Sequence, residues 1–173
     1  MDTEALQELQ APLKERYRQD PSVAMLTLHA QGALGSEDVS CSVATGKAIV
    51  EAGLHPATGG DGMLACSGDM LLEALVACAG VTLRSVAINR GIDVEGTVRA
   101  EGDLDFRGTL GVDREAPVGF TAIRLSFDLT STASDEELAA MIKTTRRYCV
   151  VLQTLASSPQ LDVSWATSPQ AMP

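Results

Sequence analysis

Aromatic residues are nearly missing from this chain: three Phe, two Tyr and one Trp in 173 residues. Any core must therefore be built from Leu, Val, Ile and Ala. Cations are also scarce. Thirteen Lys and Arg face 23 Asp and Glu, giving a formal net charge of −10 and a pI near 4.5. Such a surface repels phosphate backbones, so nucleic acid is not an expected partner. No CxxC pair occurs, and the two histidines, His29 and His55, have no ligand spacing to each other or to a cysteine. That argues against a structural zinc site, and no metal is expected. No run of 18 apolar residues is free of charge, because Arg84 interrupts the best candidate. The opening MDTEALQELQ reads as an acidic helix rather than a signal sequence. A cytoplasmic protein with no membrane partner is expected, and its thiols should stay reduced. The four cysteines, Cys41, Cys66, Cys78 and Cys149, are then inert buried thiols or a redox pair.

Apolar residues make up 45% of the chain, enough for a real core in one domain. Residues 4–18 read as a helix with Leu6, Leu9, Leu13 and Tyr17 on one side. Three strands are expected next, in AMLTLHA (24–30), VSCSVAT (39–45) and GKAIVEAG (46–53), joined as a meander by turns in QGALGSED and ATGKA. Residues 54–69 are rich in Gly, Pro, Ser and Asp and read as a long loop. The stretch has no Lys after its last glycine, so it is not a phosphate-binding P-loop.

Residues 71–87, LLEALVACAGVTLRSVA, read as a helix apolar almost all round, hence buried. Ser67 or Asp69 would cap its start and Gly91 would end it. Two strands follow, in DVEGTVRAEGDLD and GFTAIRLSFDLTS, with a loop or crossover over 106–119. Ser134 and Glu137 form a capping box opening another helix. A second helix or a bend starts near Cys149, and LDVSWAT (161–167) closes the chain as a strand. The order is α+β, with strands in consecutive groups and no repeated βαβ.

Cys41 in a strand pattern reads as a packing residue, and nothing near Cys66 marks it as activated. Cys149 differs. Arg146 and Arg147 immediately precede its turn of chain, and a helix start there would add positive potential; both favour a thiolate.

The pattern GGDG…LLEALVACAGVTL…GIDVEG, then SDEEL, then CVVLQTL, is similar to the family of osmotically inducible protein C and organic hydroperoxide resistance protein, the OsmC/Ohr family. The resemblance spans residues 23 to about 167. It implies an α+β, OsmC-like intertwined homodimer, with an antiparallel sheet and the buried helix at its centre. Residues 1–20 would be an added N-terminal helix before a single OsmC-like domain, 21–173. It also implies a thiol peroxidase acting on organic hydroperoxides in oxidative or osmotic stress. Cys78 would attack the peroxide and Cys149 would close a disulfide on it. An external dithiol would reopen that bond, and no cofactor is implied. The peroxidase members carry a Pro-Glu pair ahead of the first cysteine; Ser67 and Gly68 stand there here, with Asp69 next. They also use an N-terminal arginine, but this chain has none between Arg18 and Arg84, leaving Arg146 or Arg147 as substitutes. Val150 stands where a Pro usually follows the second cysteine. The chain is thus expected in a divergent OsmC-like branch. The alternative is a non-catalytic protein holding a small hydrophobic ligand in the dimer pocket.

Overall fold

The long apolar helix expected after the loop is the centre of the fold. In the computed structural model, which describes residues 2–19, 32–34, 40–44, 49–111 and 113–167, it is α2, Ser67–Arg90. Gly91 ends it at φ 65°, its N–H donating to the carbonyls of Ala87 and Ile88. That left-handed turn is where a helix stop favours glycine. The N-cap is Cys66, not Ser67 or Asp69, and its side chain makes no capping bond. Ser67 and Asp69 fall inside the first turn, where the Asp69 carboxylate complements the positive end of the helix.

Leu75, Ala79, Leu83 and Ala87, each four residues apart, form the buried ridge of α2. The opposite side is not covered: Ala74 and Ala77 are exposed, and Val81 is 73% exposed. By length and composition α2 matches a membrane span, but its ridge is packed within the domain by a strand, Val94–Leu104, and two helices, Asp135–Tyr148 and Val150–Ala156.

Two strands wrap that ridge. β5, Val94–Leu104, pairs antiparallel with β6, Phe120–Ser131, in register from Val94↔Ser131 to Asp103↔Ala122, with a slip at Asp103/Leu104. Their alternation matches the sequence pattern: Val98, Ala100, Ile123, Leu125 and Phe127 pack inward. On the outer face the Arg124 guanidinium bonds Asp103 and Glu101. Gly96 sits at φ 138°, and a Cβ there would strike the Asp128 carbonyl. The crossover contains α3, Phe106–Thr109, and the Phe106 ring stacks on His55 at 5.1 Å.

The capping box forms as expected. Ser134 Oγ accepts from the Glu137 N–H, and the Glu137 carboxylate accepts from the Ser134 N–H, opening α4, Asp135–Tyr148. Such a cap stabilises a helix by about 1 kcal/mol. α5 follows as Val150–Ala156. At the other end, α1, Thr3–Gln19, lies against α2. Leu6 is buried there, and the Thr3 hydroxyl donates to the Ile88 carbonyl at 2.7 Å.

A second sheet has the order β1–β2–β3–β4, built from Gly32–Leu34, Ser40–Ala44, Ile49–Gly53 and Ala65–Cys66. Its first two pairings are antiparallel and the last is parallel. β2 and β3 are expected strands. The strand expected at 24–30, with His29, lies outside the described residues. β1 occupies part of a stretch expected to be a turn. β4 shortens the expected loop, since two residues are too few for any periodicity to register.

The strand expected at 161–167 is not formed. Its apolar residues stand open instead: Leu161 77%, Val163 90% and Trp165 86% exposed. The alternation is present, but no strand of the described chain pairs with it, and without a ladder it forms no regular structure.

Candidate functional site

Two apolar clusters line the α2 ridge. One gathers Leu83, Ala87, Val94 and Met141. The other gathers Leu75, Ala79 and Cys149, with Cys78, Val151 and Leu152 packed against it. The second cluster therefore brings together the two thiols that are 71 positions apart. Cys149 is fully buried and Cys78 is half-buried. Both are free thiols, as is Cys66 at the N-cap of α2. The Cys41 side chain lies outside the described residues.

The local backbone explains what surrounds the sulfurs. α4 stops at Tyr148, Cys149 is extended at φ −72°, ψ 105°, and α5 restarts at Val150. The Cys149 N–H still donates to Thr145, and its carbonyl accepts from the Gln153 N–H. The first amides of α5 are thus left without intrahelical partners, as at any helix start. The Gln153 side chain reaches back to the Arg146 carbonyl at 2.7 Å and closes the end of α4.

Those spare amides lower both thiols. Burial alone would push the Cys78 thiol up. Hydrogen bonds from the Val151 N–H, the Cys149 thiol, the Val150 N–H and the Thr82 hydroxyl outweigh it and hold Cys78 below the ordinary thiol range. Cys149 moves the other way. Burial and the neighbouring Cys78 sulfur push it up, and the Leu152 and Val151 amides only partly offset them. Thr82 has one proton for two acceptors, the sulfur and the Cys78 carbonyl at 2.7 Å. Two thiols whose environments push them apart form an unequal pair: one suited to be thiolate, one kept protonated beside it.

The supporting residues named from the sequence lie elsewhere. Arg146 and Arg147 are exposed in the last turn of α4, and Asp69 is exposed in the first turn of α2. None is among the groups that shift Cys78. The helix start near Cys149 is real, and its amides lower both thiols, but only at Cys78 do the hydrogen bonds outweigh burial. Thr82 and the Val150 and Val151 amides were not read from the sequence. The available signals were a hydroxyl one turn after Cys78 and the β-branched pair after Cys149.

An apolar cavity of about 610 Å³ opens beside this cluster, between β6 and α5. It shares Ile123, Leu125 and Leu152 with the cluster, and Leu71 and Leu155 complete its apolar wall.

A long core helix wrapped by a β-ribbon makes this an α+β protein, and its likeness to known proteins places it in the OsmC/Ohr fold. The profile of the OsmC-like protein family matches residues 60–164, and the chain belongs to that family. Among solved structures it is similar to an OsmC-like protein from Mycoplasma pneumoniae, with TM-score 0.64 and 19% identity over 77% of this chain and 89% of that one. It is also similar to an organic hydroperoxide resistance protein from Elizabethkingia anophelis, with TM-score 0.58 and 16% identity over 78% and 91%. A third is an organic hydroperoxide resistance protein OsmC from Legionella pneumophila, with TM-score 0.57 and 16% identity over 77% and 91%. At these identities the likeness is one of fold. No curated protein matches the chain in sequence.

Proposed function

We propose that the protein is a thiol peroxidase that reduces organic hydroperoxides through Cys78 and Cys149. The observation that carries this reading is the packing of Cys78 against the buried Cys149 in one apolar cluster at the start of α5, with Cys78 shifted down and Cys149 up. The Cys78 thiolate attacks the terminal peroxide oxygen, the O–O bond breaks, and the alkoxide leaves as an alcohol after taking a proton from solvent. Cys78 is then a sulfenic acid. The Cys149 thiol attacks that sulfur, expelling water and closing a disulfide. A dithiol reductant reopens it by exchange through a mixed disulfide. Arg146 and Arg147 are not needed in this scheme, because amides and a hydroxyl supply the positive ends of dipoles at the thiolate.

The apolar cavity beside the pair favours an alkyl or aryl peroxide, at about 0.8 kcal/mol per buried CH₂, a gain hydrogen peroxide cannot make. The test is turnover of cumene hydroperoxide against hydrogen peroxide with a dithiol as reductant. Faster reduction of the organic peroxide is expected. No turnover of either, with Cys78 still a free thiol, removes the peroxidase reading and favours a non-catalytic holder of a small hydrophobic ligand.

A cytoplasmic homodimer is part of this proposal. The uncovered α2 face and the open residues Leu161, Val163 and Trp165 leave large apolar side chains facing water, as interaction surfaces do. A second copy would cover it with an interface resembling a core cut in half. Sedimentation is expected to give a dimer at micromolar concentration. A stable folded monomer there would refute the pairing.

A further inference from the structure

α1 lies outside the stretch matched by the family profile, and it builds something the thiol site does not use. Between α1, α2 and α4 is a cleft of about 370 Å³. Lys14 enters it from α1 and Arg90 from the end of α2. The side chains of Gln10, Ser85, Asn89 and Thr144 supply further hydrogen-bonding groups. Among the described residues no Asp or Glu lines it, in a protein whose acids outnumber its cations 23 to 13. Arg90 donates to the Thr144 hydroxyl at 3.0 Å, and that hydroxyl is occupied as a donor by the Ala140 carbonyl at 2.8 Å. Among the described residues neither Lys14 nor Arg90 has a carboxylate partner. Two cations left unneutralised in one cleft of an acidic protein raise the local concentration of anions.

We propose that this cleft binds a small organic carboxylate. The guanidinium fork of Arg90 suits the two oxygens of a carboxylate. Val86 and the Tyr148 ring give the same cleft an apolar strip for a short alkyl body. Inorganic phosphate would gain nothing from that strip. α1 is held in place to form the wall, by the buried Leu6 and by the Thr3 hydroxyl on the Ile88 carbonyl. The site is independent of the peroxidase reading, although Thr82 lies in both the cleft and the surroundings of Cys78.

The test is titration calorimetry on the full chain with hexanoate, 1-hexanol and inorganic phosphate. Hexanoate is expected to bind, and more tightly than the other two. Its affinity should fall about tenfold in Lys14→Gln and again in Arg90→Gln, the loss expected when one charge-assisted bond is removed. Lys143→Gln serves as the control for general charge: Lys143 is exposed on α4 and does not line the cleft. Equal losses in all three variants would mean diffuse attraction and overturn the site. Binding of phosphate or 1-hexanol as tight as hexanoate would overturn the carboxylate assignment. Absence of hexanoate binding at millimolar concentration would overturn both.

Discussion

A Cys78→Ser variant is expected to lose peroxide turnover by roughly a thousandfold or more, because a serine hydroxyl is not ionised at neutral pH and cannot replace a thiolate as nucleophile. The surrounding donors would simply meet an oxygen instead of a sulfur, so the fold should hold, and thermal unfolding should show it. Cys149→Ser should behave differently. The hydroxyl can still donate to the Cys78 sulfur, so the first attack should survive at a similar rate. The sulfenic acid then has no thiol to close on. One equivalent of alcohol per subunit is expected in a burst, followed by a stall, with Cys78 trapped by a sulfenic-acid reagent or oxidised further. Because Cys149 is fully buried, its replacement should also cost about 1–2 kcal/mol in stability for the less easily desolvated hydroxyl. The decisive contrast is burst against no burst. Steady turnover by Cys149→Ser at the wild-type rate would show that another thiol, or the reductant itself, resolves Cys78.

The elements legible in the sequence are those long enough to repeat a period. α2 carries its apolar pattern over 24 residues and a glycine at its end, and β6 alternates Ile123, Leu125, Phe127 and Leu129 against charged or polar neighbours. The capping box is local chemistry, with Ser134 and Glu137 three apart, and needs no tertiary context. β4 has two residues and exists only because β3 lies alongside, which no local pattern encodes. Residues 161–167 show the converse: a strand pattern is present and its partner is not. At the site, the two thiols and the break at Cys149 were legible, but the donors on Cys78 were not. Two of them are backbone amides, which every residue other than proline carries. They matter here because Cys149 departs from helical geometry and leaves them unpaired. Arg146 and Arg147 drew attention by charge and by nearness in sequence, yet residues directly before a helix end point around the cylinder, and these two point to solvent.

Val150→Pro isolates those amides. Proline has no N–H, but the first position of a helix tolerates it, since that N–H has no intrahelical acceptor. The residue before a proline must be extended, and Cys149 already is, at φ −72°, ψ 105°. Val150 is 69% exposed, so little packing is lost. The substitution should therefore keep the fold and the Cys78–Cys149 pairing while deleting one donor to the thiolate. With the Val150 N–H gone, Cys78 should titrate at higher pH. The sign follows from the reactive species: attack rises as Cys78 deprotonates, so the rising limb of the pH–rate profile moves to higher pH. At neutral pH the peroxide or alkylation rate should fall about tenfold, the order expected for one hydrogen bond to a charged group. Well above both titrations, the variant should approach the wild type, because both are then fully thiolate. Stopped-flow alkylation of the reduced protein with iodoacetamide from pH 5 to 10 measures this without any assumption about the substrate. An unshifted profile, in a variant whose melting temperature is unchanged, would mean that the Val150 amide does not hold the Cys78 thiolate, and the burden would pass to Val151, Thr82 and Cys149 alone.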